Sequence, residues 1–228
     1  MPSVNAALTL REVRIPVSDT WLYGDLMTPP GFEGLVLFAH GSGSGRHRAR
    51  NRQAAQLLQH AGIATLLFDL LTAQEEQTDL NTREHRFDIS LLTRRMQDAI
   101  AWAAAQPELQ HAAIGYFGAS TGSAAILLAP ARLGNKIAAV VFRGVRPDLA
   151  GPVALANVTA PTLLIVGSAD HEVIELNQQA LEDLRCEKSL ALVPGATHLF
   201  GEAGTLEQVA QLASSWFIAH LTSLRYTT

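Results

Sequence analysis

Ser120, Asp170 and His198 occur in that order in a chain of 228 residues. Together these types can make a nucleophile, an orienting acid and a proton shuttle. Ser120 is the centre of Gly118-Ala119-Ser120-Thr121-Gly122, a G-x-S-x-G turn. An apolar run, Ala113-Ile114-Gly115-Tyr116-Phe117, precedes it, and a small-residue run from Thr121 that reads as a helix follows. Strand, sharp turn and helix are the setting in which a nucleophilic Ser is presented at the top of a sheet. The flanking glycines let strand and helix approach closely. Free N–H groups and the dipole at the helix start favour an oxyanion. A Ser here also serves as an ordinary N-cap, so the chemistry rests on its partners.

The partners follow strands. Residues 34–39 form a short apolar run that passes into His40-Gly41-Ser42-Gly43-Ser44-Gly45. A glycine-rich loop in that place binds either a phosphate or an oxyanion. Arg46 stands where the third glycine of G-x-G-x-x-G belongs, and there is no Walker Lys, so the oxyanion reading is preferred. Its donors would be the backbone N–H groups of Ser42 and Thr121, with His40 a structural loop residue. Asp170 leaves the run 161–167 and His198 leaves the run 190–193. A Ser hydroxyl needs a base to take its proton, His198 can serve, and a carboxylate on the other ring nitrogen fixes the tautomer. The alternatives are a helix cap for Asp170 and an ordinary loop histidine for His198. Asp148 is the fallback acid, and His171, next to Asp170, is a poorly placed base. Arg143 and Arg146 sit at a strand exit, where they either recognise a substrate carboxylate or phosphate or form structural ion pairs. The charged run 46–52 reads as a solvated loop and first helical turn, with attraction of an anionic substrate as the alternative.

These residues need a scaffold of alternating strands and helices. Residues 8–17 and 21–28 read as an antiparallel hairpin. Buried strands are expected at 34–39, 63–68, 113–117, 136–142, 161–167 and 190–193. Helices are expected at 53–60, 82–106, 173–184 and 205–224, and a polar loop without periodicity at 69–81. The expected fold is therefore α/β: a mostly parallel central sheet of about eight strands, helices on both faces and the antiparallel N-terminal hairpin at the edge. It is read as a single domain over residues 1–228. Residues 143–160 are too few for a cap domain, so an open cleft is expected.

Composition narrows the partners. Hydrophobic residues make up 48% of the chain, which suits a sheet buried on both faces. A net charge of −4 gives nucleic-acid binding no support. The lone cysteine, Cys186, permits no intrachain disulfide, in keeping with a reducing, cytoplasmic setting. No signal peptide, membrane span or metal-ligand cluster is indicated. The chemistry calls for no cofactor or metal, only a small-molecule ester. A C2 homodimer through an edge strand or surface helix is compatible with the sequence.

At His40–Ser44, Gly118–Gly122, Gly167-Ser168-Ala169-Asp170 and Gly195-Ala196-Thr197-His198 the chain resembles the α/β-hydrolase superfamily. It is most similar to the small, capless, dienelactone-hydrolase-like branch. The resemblance implies hydrolysis of a carboxylic ester, with thioesterase, acyltransferase or peptidase chemistry as variants and a non-catalytic binding protein as the remote one. True dienelactone hydrolases look to a Cys nucleophile and a Glu after the third strand. Ser120 and His40 stand there instead, which favours general ester hydrolysis over a dienelactone substrate.

Overall fold

A computed structural model describes residues 8–39, 45–119, 137–144, 146–147 and 150–221. The apolar runs become strands: β1 (Thr9–Val17), β2 (Thr20–Thr28), β3 (Gly34–Ala39), β4 (Ala64–Phe68), β5 (Ala113–Ala119), β6 (Ile137–Arg143), β7 (Thr162–Gly167) and β8 (Lys188–Val193). They form one sheet in the order β1-β2-β4-β3-β5-β6-β7-β8. Strands β1 and β2 pair antiparallel, β2 meets β4 antiparallel, and all other pairings are parallel. Every residue of β3, β4 and β7 is buried, as unbroken apolar runs require when helices cover both faces.

The helices are α1 (Ala49–His60), α2 (Ala73–Thr82), α3 (Ile89–Ala105), α4 (Pro152–Ala156), α5 (His171–Asp183) and α6 (Thr205–Leu221). On one face Leu92, Met96 and Ile100 of α3 pack with Ala180 of α5 against Leu35, Leu37 and Tyr116. On the other face Leu58 of α1 and Phe217 of α6 pack against Val36, Phe38 and Phe117. Gly115 on β5 makes the second contact possible, because a Cβ there would lie 2.8 Å from a Phe217 ring carbon. None of the described helices is long and apolar enough to cross a membrane.

Two expectations need correction. Residues 69–81 are not an irregular loop, since most of them form α2. The helix starts with a capping box: Thr72 accepts from the Glu75 N–H, and Glu75 accepts from the Thr72 N–H. The next helix does not begin at residue 82. Arg83 takes a left-handed conformation (φ 59°) and stops α2. Buried Asp79 then accepts from the His85 and Arg86 N–H groups and the Arg86 guanidinium, holding a six-residue turn until Asp88 caps α3. These side-chain bonds break a helix that the apolar pattern alone would have continued. The start of the helix after Gly118–Gly122 lies outside the described residues.

Candidate active site

Parallel pairing brings the C-terminal ends of β3, β5, β6, β7 and β8 to one edge. Ala39, the last residue of β3, pairs with Gly118 on β5, and Ala119 pairs with Arg143 on β6. The chain therefore leaves β3 and β5 at adjacent points. Ser120, Ser42, Thr121, His40 and Asp148 lie outside the described residues.

The acid and histidine are together. His198 Nδ1 lies 2.7 Å from Asp170 Oδ2, with the carboxylate side chain 15% exposed and the imidazole 40%. The carboxylate accepts from Nδ1–H, which leaves Nε2 bare as an acceptor. Asp170 precedes α5, where a capping Asp would be expected, yet its side chain makes no cap hydrogen bond. The carboxylate is turned to His198 instead. His171 is exposed on the first turn of α5.

Backbone bonds lock the two loops to each other. The Ala169 N–H donates to Ala196 O (3.0 Å), Ser168 N–H to Val193 O (2.9 Å) and Gly195 N–H to Ser168 Oγ (2.8 Å). Gly167 lies under this junction, and a Cβ there would collide with the carbonyls of Ala196 and Thr197. Gly144 (φ 57°) lets the β6 exit approach from the other side, its would-be Cβ 3.6 Å from His198 Cε1.

The His198 turn has three further supports that the sequence reading did not single out. Thr197 donates its hydroxyl to Glu202 Oε1 (2.6 Å) and its N–H to Oε2 (3.2 Å). The Thr197 hydroxyl and nearby N–H groups hold the exposed Glu202 carboxyl below its ordinary pKa. Phe200 closes the turn through its N–H to Thr197 O, at a positive φ of 51°. Its ring is 1% exposed, so burial holds a backbone that a bulky residue otherwise avoids. Arg50 Nη1 donates to Leu199 O at 2.9 Å. No motif marks Glu202 or Arg50, because each acts through a contact with a turn whose shape the sequence pattern does not reveal.

The charged run 46–52 divides between structure and site. Arg46 is 11% exposed and lies 3.4 Å from Asp25, 3.4 Å from Asp69 and 4.0 Å from Glu12. Its N–H also donates to Asp69 Oδ1. This ties the end of the glycine-rich loop to β1, β2 and the β4 exit. Arg52 is 3.9 Å from Asp25. Arg50 instead faces the His198 turn. Arg143 places its guanidinium 5.9 Å from the centre of the Phe117 ring, and burial followed by the nearby Arg50 charge lowers its pKa to about 10. Arg146 is exposed.

Comparison with known proteins shows the family and the fold. The sequence pattern of the dienelactone hydrolase family matches residues 29–217. The chain is similar to a crystal structure of dienelactone hydrolase from Anabaena variabilis, at 53% identity and a TM-score of 0.91, covering 94% of this chain and 99% of that one. The fold is also that of Est1E from Butyrivibrio proteoclasticus, with 16% identity, a TM-score of 0.76, and coverage of 91% and 98%. Two Mycobacterium tuberculosis sequences, named as candidate phosphoribosyl transferases, are 52% identical over 210 residues. That match covers 92% of this chain but 46% of theirs, so the chain spans about half the length of the curated relatives it matches.

Proposed function

Because the chain belongs to the dienelactone hydrolase family, we propose that it is a serine hydrolase that cleaves carboxylic esters of small or short-acyl substrates. The observation that carries this reading is the His198–Asp170 hydrogen bond, with Ser120 next in sequence after the end of β5 at Ala119. Ser120 Oγ attacks the ester carbonyl while His198 Nε2 takes its proton. The N–H groups of Ser42 and Thr121 hold the developing oxyanion. His198 then protonates the leaving alkoxide, and the alcohol departs from an acyl-enzyme. Water attacks with His198 again as base, and the released acid leaves Ser120 as it began. Asp170 keeps the proton on Nδ1 and stabilises the imidazolium.

The open cleft belongs to the same proposal. Between β6 and β7 the described residues hold one five-residue helix, α4, which supports a cleft open to small esters. The phosphoribosyl transferase name of the M. tuberculosis relatives applies to chains about twice as long. The part they share with this chain includes the region that the dienelactone hydrolase pattern covers, so hydrolysis is the activity assigned here.

The test is turnover of p-nitrophenyl esters from acetate to laurate by wild type and Ser120→Ala. Wild type should favour short chains, and the variant should lose activity by several orders of magnitude. Equal rates in the two proteins, or no labelling of Ser120 by a fluorophosphonate, would refute the reading.

A further inference from the structure

The last residue of β6 is a cation without a counter-ion among the described residues. Arg143 pairs in register with Ala119 on β5 and Ile165 on β7. Residues in register on neighbouring strands share a face, and the guanidinium stands over Phe117, on the face covered by α1 and α6. Its Nη1 is shut from solvent and has no hydrogen-bond partner among the described residues. The next residue, Gly144, touches the His198 turn. From the first turn of α1, Arg50 reaches the same turn through Leu199 O. Arg50 therefore touches the turn that carries the candidate catalytic histidine, and Arg143, from the strand next to that turn, is near enough to feel the Arg50 charge.

Nothing among the described residues neutralises them. Arg46, Arg86 and Arg95 each have a carboxylate within ion-pair distance, whereas neither Arg143 nor Arg50 does. The nearest acids of the turn are committed, Asp170 to His198 and Glu202 to Thr197. Helix α1 adds the positive end of its dipole, with no acidic residue in its first turn and no capping side chain. A buried N–H without a partner is costly and demands an explanation. A guanidinium fork is the group best shaped to grip an oxyanion. Arg143 keeps its proton at neutral pH even though burial and Arg50 lower its pKa to about 10.

We infer that Arg143 and Arg50 form an anion subsite beside His198 that takes the phosphate group of a phosphate-bearing carboxylic ester. A dianion is favoured over a single carboxylate because two adjacent cations repel each other, and one dianionic group cancels both charges. The phosphate is a handle, and its own bonds stay intact. The bond broken is the ester C–O, with the proton passing from Ser120 through His198 to the alcohol. This inference rests on the hydrolase reading above.

The experiment compares three p-nitrophenyl esters of matched length: neutral pentanoate, hemiglutarate and 4-phosphonobutyrate. Wild type should prefer the phosphonate ester to the pentanoate by about ten- to hundredfold in kcat/KM, the range expected for a charge-assisted contact. Arg143→Gln and Arg50→Gln should each erase most of that ratio, and Arg143→Lys should restore part of it. Butylphosphonate binding, measured by calorimetry, should be seen with wild type and lost with Arg143→Gln. If Arg143→Gln folds poorly, Arg50→Gln on the helix surface carries the comparison. No charge preference in wild type overturns the subsite, as does a preference that survives both Gln substitutions. A hemiglutarate favoured over the phosphonate overturns the dianion assignment. If no ester turns over, the hydrolase reading fails, while butylphosphonate binding and its loss in the variants still decide the subsite.

Discussion

Gly167→Ala adds one methyl group at the end of β7, and the structure predicts that its cost falls on catalysis. The new Cβ would occupy space held by the Ala196 carbonyl, with Thr197 O also in the way. Both obstacles are backbone, so no side chain can rotate aside. The Ala196 carbonyl is also the acceptor for the Ala169 N–H, and Gly167 O accepts from Asp170 N–H. To regain an ordinary contact distance the 195–198 segment must retreat by about 1 Å, and a misplacement of that size costs a catalytic group roughly a hundredfold in rate. Overpacking of this kind also lowers stability by about 1–3 kcal/mol. Gly201→Ala is the matched control, since a Cβ at Gly201 meets nothing within 4 Å. The assay is kcat/KM on a short p-nitrophenyl ester, with thermal melts of both variants. Gly167→Ala should lose about a hundredfold while still folded, and Gly201→Ala should stay within about twofold. A folded Gly167→Ala enzyme at wild-type rate would refute the claim that this junction sets the position of His198.

Three other outcomes are expected. Asp170→Asn should leave the melting temperature nearly unchanged and lower kcat by about a thousand- to ten-thousandfold, since an amide on Nδ1 no longer enforces the working tautomer; a loss under tenfold would remove Asp170 from the proposed role. Tyr116 has a buried hydroxyl with no partner among the described residues, and burial pushes its pKa well up, so Tyr116→Phe should stabilise the fold by about 1 kcal/mol in urea titrations, whereas destabilisation would show that the hydroxyl is needed. Burial alone would raise the Glu75 pKa, but the Thr72 N–H and Arg95 guanidinium outweigh it and hold the carboxyl below its ordinary 4.5. The folded state therefore favours ionised Glu75, and its contribution is complete above that value and lost as pH falls through the lower folded value. Wild type should lose urea resistance more steeply below about pH 4.5 than Glu75→Gln; parallel curves would refute this.

The strands were legible because burial on both faces leaves little choice of residue. The runs that became β3, β4 and β7 are apolar but for Thr65 and Thr162, and each is buried throughout, and the run before Ser120 became β5, which ends at Ala119. Asp170 and His198 were legible from their place after strands. Elements governed by side-chain-to-backbone bonds were harder to read. Helix α2 has weak apolar periodicity and depends on the Thr72–Glu75 box, and its stop depends on Asp79 reaching residues six and seven positions ahead. The approach of Arg50 to Arg143 could not be read at all, because it depends on how α1 lies on the sheet. The nucleophile and the oxyanion donors Ser42 and Thr121 lie outside the described residues and remain part of the proposal.

The locking of the acid loop to the histidine loop also bears on how such a protein diversifies. The backbone bonds that join them all fall within β7, α5, β8 and the turn that follows, a stretch in which the paired side chains lie 28 residues apart in the chain. Closing so short a segment costs little entropy. The connection between β6 and β7 carries none of those bonds and leaves β6 at the same strand edge, where Gly144 lies next to the His198 turn. An insertion there can lengthen, roof or reshape the entrance while the acid–histidine pair keeps its geometry. Substrate range can then drift through that one connection, with the proton-handling half of the site inherited unchanged.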